Sequence, residues 1–155
     1  MNTNVENDQN DMTPSLLVTS KVKQFIKEKQ GLNISKSFFE PLNKDVEQTI
    51  LEAIDHAKKN DRKTVMGKDF NFYKENPDLG EILVVASKVK KFIKEKSDLN
   101  TSSQVMEQLT LRVQRICLDS IKRAIDDKRK TVMDRDFTSP TTHITEVPSE
   151  WGINP

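Results

Sequence analysis

Apolar residues recur along this chain at helical spacing. Val22, Phe25 and Ile26 fall at i, i+3 and i+4, and Val89, Phe92 and Ile93 repeat the pattern. This predicts two short helices, Thr19–Lys29 and Ala86–Lys96, with Ser20 and Ser87 placed as their N-caps. A turn follows each one, "QGLNIS" or "SDLNTS", in which Ser35 and Ser102 are placed to cap a second helix. The second helix is long, Ser37–Lys59 and Ser103–Asp127. Its stripe is Leu42/Leu109, Val46/Val113, Ile50/Cys117, Ile54/Ile121 and Ala57/Ala124. Leu51/Leu118 and Phe38/Val105 widen the stripe, so burial is expected on more than one face. Pro41 lies near the start of the first long helix and is expected to delay or bend it, because proline lacks a donor and crowds the preceding turn. After the long helix, β-branched Val65 and Val132 predict a strand of two or three residues. A short third helix is expected from Gly67 or Asp134. In the second half Pro140 should stop it at about Thr138 or Ser139.

The paired positions all differ by 67. From Leu16/Leu83 to Phe70/Phe137 the two halves align without a gap, and 27 of 55 positions are identical. The chain is a tandem duplication. Its organisation reads as a disordered tail (1–15), a first unit (16–76), a linker (77–82), a second unit (83–139) and a C-terminal tail (140–155). A unit of about 54 residues cannot bury a long helix that is apolar on several faces, so the copies are expected to pack on each other around crossed long helices.

Composition narrows the class. Apolar residues make up 34% and charged residues 32%, with 4 glycines and 6 prolines, which fits an all-α chain with a small core. No apolar run is long enough for a membrane span, and the Asn/Asp-rich start does not resemble a secretory signal. The single cysteine, Cys117, takes the place of Ile50 in the stripe and is expected to be a buried core residue in a reducing compartment. The net charge of +1 conceals a strong bias. Residues 17–70 hold 11 bases and 8 acids, and residues 84–137 hold 13 and 8, so the repeats carry +8 together while the tails and linker are acidic. Phosphate backbones respond to such local patches rather than to the total.

The loops "RKTVMGKDF" and "RKTVMDRDF" close the two long helices. Short–long–short helices with R-x-T and an aspartate seven residues after the arginine resemble the histone fold, as in archaeal histones and their bacterial relatives. The pattern is Arg62, Thr64, Asp69 and again Arg129, Thr131, Asp136. "KVKQFIK" is also similar to the first helix of archaeal histones. The resemblance implies two tandem histone folds packed as an intramolecular handshake pseudodimer. It implies loop-bracing salt bridges Arg62–Asp69 and Arg129–Asp136, with Lys63, Thr64, Lys130 and Thr131 facing DNA phosphates. The paired first helices are expected to lie side by side and add Lys21, Lys23, Lys88, Lys90 and Lys91, the last at the position of a DNA-contacting arginine of the family. The second helix is about one turn shorter than the archaeal pattern, and the third helix of the second copy is truncated; both elements help histone dimers join into larger assemblies.

No zinc-finger spacing, basic region before heptads, phosphate loop, nucleophile triad or paired catalytic carboxylates is present. His56 and His143 stand apart and without cysteines, so neither a metal nor another cofactor is expected. The sequence therefore predicts a non-enzymatic protein that binds double-stranded DNA with little sequence preference, bending or coating it in a nucleoid, and that is cytoplasmic and monomeric. The alternative is a histone-fold module for protein–protein interaction without DNA binding. Trp151 either folds onto the core or marks a partner site.

Overall fold

The computed structural model describes residues 15–70 and 80–138. The tails, Pro140, His143, Trp151, residues 71–76 of the first unit and 77–79 of the linker lie outside these residues, and so do the expectations attached to them. The first unit comprises α1 (Thr19–Gln30), β1 (Asn33–Ile34), α2 (Lys36–Lys59), β2 (Thr64–Val65) and a 3-10 turn at Gly67–Asp69. The second unit repeats it: α3 (Ala86–Ser97), β3 (Asn100–Thr101), α4 (Gln104–Asp126), β4 (Thr131–Val132) and a 3-10 turn at Asp134–Asp136.

Each helix buries the stripe that its sequence sets. Val22, Ile26, Val89 and Ile93 are fully enclosed, as are Phe38, Leu42, Val46 and Ile50 of α2 and Val105, Leu109, Val113 and Cys117 of α4. One cluster of buried apolar residues runs through both units. Each large aliphatic side chain removed from water contributes roughly 1.5–3 kcal/mol. The long helices cross; α1 packs on α4, α3 packs on α2, and each 3-10 turn packs on the other unit's long helix. Phe38 of α2 meets Phe137 edge-on, with ring centroids 6.2 Å apart. The all-α handshake expected from the sequence is present.

The loops knit the copies together as two parallel strand pairs. β1 pairs with β4 (Asn33 with Thr131, Ile34 with Val132), and β2 pairs with β3 (Thr64 with Asn100, Val65 with Thr101). An antiparallel bridge joins Leu17 to Val84 just before α1 and α3. Val18 N–H donates to the Leu83 carbonyl and Val85 N–H to the Leu16 carbonyl, both at 2.8 Å.

Several expectations are corrected. Ser20 and Ser87 do not cap; they lie inside α1 and α3, whose N-caps are Val18 and Val85 without a side-chain bond. The bridge between copies fixes where these helices start, and a single sequence window does not contain it. Ser35 does cap α2, accepting from Ser37 N–H at 3.2 Å, whereas Ser102 accepts from Gln104 N–H at 3.3 Å without being the cap, because α4 starts one position later with Ser103 as its N-cap and no side-chain bond there. Pro41 does not delay α2, which begins five residues earlier and continues through it. Its missing N–H forfeits one bond near the exposed end, while Leu42 and Phe38 hold the turn in the core. Leu51 and Leu118 are exposed, at 37% and 44%. Each follows the buried stripe by one residue, about 100° round the helix, where the partner unit no longer reaches. The third helix of the second copy is only a 3-10 turn, and it ends at Asp136 because Phe137 is already extended.

Candidate nucleic-acid interface

Each loop is built by reversing the chain at the end of a long helix. Asp61 and the equivalent Lys128 adopt left-handed conformations (φ 55° and 57°). This lets Arg62 N–H bond back to the Ala57 carbonyl at 3.0 Å, and Arg129 N–H to Ala124 at 2.8 Å. The arginine then lies across its own loop. Arg62 donates from Nη1 to Asp69 Oδ2 at 2.8 Å and from Nη2 to Oδ1 at 2.6 Å. Arg129 makes the same fork to Asp136 at 2.8 and 2.5 Å. The inner face of each fork also donates to a loop carbonyl, that of Thr64 or Thr131. Met66 N–H and Met133 N–H complete the two aspartates at 2.7 and 2.8 Å.

The carboxylates are enclosed, at 0% and 2% exposure, whereas the arginines keep an open edge. Burial pushes both carboxyls up, but the bonds they accept more than reverse it. Asp69 is held below the usual carboxylate range by Arg62, His56 and the Met66 N–H, and Asp136 by Arg129, the Met133 N–H and the charge of Arg135. The bond to Asp69 raises Arg62, and the bonds to Asp136 and Asp127 raise Arg129, so both stay charged. Charge-assisted bidentate pairs of this kind fix geometry as well as energy.

The braced loops hold their cations outward. Lys63 and Lys130 are exposed, and Thr64 and Thr131 are half-buried. The backbone on which the lysines stand is fixed by the other unit: Asn100 N–H donates to the Lys63 carbonyl at 2.9 Å and Asn33 N–H to that of Lys130 at 3.0 Å. The Leu17–Val84 bridge brings the N-terminal ends of α1 and α3 together, carrying Lys21 and Lys88. Lys23, Lys88 and Lys90 are exposed. Lys21 is drawn to Glu81 at 3.6 Å and Lys91 to Glu95 at 4.0 Å, so these two are partly neutralised within the chain.

Three features escaped the sequence reading. His56 Nδ1 lies 2.7 Å from Asp69 Oδ1 and adds a partner to the first brace. Its counterpart is Arg123, and the second brace instead gains Asp127, which accepts from Arg129 Nε at 2.9 Å. Asn43 and Thr110 hold the bridge segments, accepting from Leu16 N–H at 2.8 Å and Leu83 N–H at 3.0 Å. Asp45 and Arg112 pair in the core; their opposite charges alone do not single them out, since Asp55/Lys122, Lys59/Asp126 and Asp61/Lys128 are opposed as well.

No family model matches the sequence, and no curated protein matches it. Among solved structures the chain is similar to the histone from Methanopyrus kandleri, with a TM-score of 0.61 and 16% sequence identity over 77% of this chain and 89% of that one. A share of 77% is more than either unit supplies alone, so the likeness takes in both. Crossed long helices, paired loops and a doubled arginine–aspartate brace thus come together as the histone fold, present twice in one chain and closed upon itself.

Proposed function

We propose that this chain is a non-enzymatic, histone-like protein that binds double-stranded DNA through its phosphates with little sequence preference, bending or coating it in a nucleoid. The observation that carries the reading is the duplicated loop. Two buried aspartates brace two arginines, and each brace leaves one lysine exposed beside a threonine on backbone fixed by the other unit. Such a loop is suited to a phosphate, since ammonium, hydroxyl and backbone N–H groups are its usual donors. The joined N-terminal ends of α1 and α3 add Lys23, Lys88 and Lys90 and two positive dipole ends to the same set. Arg62, Asp69, Arg129 and Asp136 position the loops; Lys63, Thr64, Lys130 and Thr131 make the contacts, with the lysines of the short helices in support. A monomer suffices, because both units are in one chain.

The test is binding of the full chain to mixed-sequence duplexes at two salt concentrations, beside the Lys63→Ala/Lys130→Ala variant. Binding that weakens steeply with salt and is reduced in the variant supports the proposal. Wild type that does not bind duplex at low salt refutes it. A module for protein–protein interaction is the second reading, favoured by exposed Leu51, Leu118 and Ile125 on the long helices. It replaces the first if DNA binding is absent.

A further inference from the structure

Asp45 and Arg112 occupy the same position of the two units, 67 residues apart, and they are bonded to each other. Arg112 Nε donates to Asp45 Oδ1 at 2.7 Å and Nη2 to Oδ2 at 3.0 Å. The side chains are only 4% and 6% exposed. Thr49 adds its hydroxyl to the same carboxylate, at 3.5 Å, where the second unit has Ile116. A residue that touches its own equivalent lies on the axis that relates the two units. Leu17 and Val84, also 67 apart, mark the same axis at the bridge.

This placement has a consequence for partner choice. If two first units closed on each other, Asp45 would meet a second Asp45. If two second units did so, Arg112 would meet Arg112. Either contact buries two like charges where almost no water reaches, and a buried charge without its partner is strongly destabilising. The neighbouring seam does not discriminate in this way. Leu42/Leu109 and Val46/Val113 are identical in both units and suit any pairing. Asn43 and Thr110 differ in type yet do the same job, each accepting the N–H of a bridge leucine. Charges are also reversed at Asp55/Lys122, Lys59/Asp126 and Asp61/Lys128, but those positions are exposed, whereas Asp45 and Arg112 are buried and bonded to each other.

We infer that this ion pair makes the interface selective. A first unit accepts only a second unit as partner, from its own chain or from another copy of it, and closure of like units is excluded. A unit thus recognises its partner by repelling like units as well as by attraction to the other kind. The inference rests on the interface between units and stands independently of DNA binding.

Full-length variants test it. Arg112→Asp sets aspartate against Asp45 and reproduces the contact of two first units. Asp45→Arg sets arginine against Arg112 and reproduces that of two second units. Each is expected to lower Tm by roughly 10 °C or more. The double exchange Asp45→Arg/Arg112→Asp restores opposite charges and should recover most of the loss. Refolding the two single variants together gives each chain the unit its own partner lacks, so a 1:1 complex of two chains is expected, melting near the double exchange. Single variants that melt with wild type would overturn the inference. So would a double exchange no better than the weaker single variant, or a refolded mixture in which each chain melts as it does alone.

Discussion

Arg129 meets Asp136 with both arms of its guanidinium, Nη1 to Oδ2 at 2.8 Å and Nη2 to Oδ1 at 2.5 Å, and Arg62 repeats the fork on Asp69. Asp136→Ala removes the acceptor of this fork and of the Met133 N–H together. It is expected to cost about 1–3 kcal/mol, because it strands donors that are largely enclosed. Lys130→Ala removes an exposed side chain and should leave Tm nearly unchanged while weakening DNA binding. Thermal melts of both variants beside a binding titration check this division. Identical behaviour of the two in both assays would refute it.

Acid should loosen the molecule. Asp69 and Asp136 bind protons less readily folded than unfolded. Their contribution is therefore fully present above the unfolded carboxyl value of about 4 and is lost as pH falls through the lower folded values. Tm measured from neutral pH down to about pH 3 should fall most steeply below pH 4. In Asp69→Asn/Asp136→Asn the starting Tm should be lower and this acid-dependent drop smaller. A variant with the wild-type slope would show that other groups dominate.

Cys117 lies in the core on α4, and burial pushes its thiol up to about 12. It should resist a thiol reagent near pH 8 in the native protein and react once the chain unfolds. Labelling followed through a denaturant titration should track the loss of helical signal. Stoichiometric labelling of the native protein at once would contradict the enclosed site.

The proposed DNA contacts predict a salt dependence. With two loop lysines and a few helix lysines engaged, log K against log salt should have a slope of roughly −4 to −6, at about −0.9 per neutralised phosphate. Lys63→Ala/Lys130→Ala should make the slope shallower by about two and cut affinity on every duplex tested. Affinity confined to one sequence would conflict with contacts made only to phosphates.

Much of this fold was legible in the sequence because the chain states it twice. Arg62, Thr64 and Asp69, repeated at the same spacing, carried the resemblance to the histone fold that implied the brace, and the 3.6-residue stripe placed Leu42, Val46 and their equivalents in the core. The rest depends on the other copy. The starts of α1 and α3 are set by the Leu17–Val84 bridge rather than by Ser20 or Ser87. Leu51 and Leu118 look like core by type, but the partner does not cover them. At the candidate site His56 gave no signal, since a histidine 13 residues before Asp69 meets it only after α2 has ended and the loop has doubled back.

The two strand clamps look alike but enclose very different lengths of chain. Thr64 and Asn100 close a stretch of 36 residues, whereas Asn33 and Thr131 close one of 98. Entropy of ring closure sets these apart by about 0.9 kcal/mol, in favour of the inner clamp. Closure of β2–β3 first is therefore favoured over closure of β1–β4, which must bring together residues farther apart along the chain. A molecule symmetric in its finished shape is thereby biased in its assembly, with closure at the loop of Lys63 favoured before closure at that of Lys130.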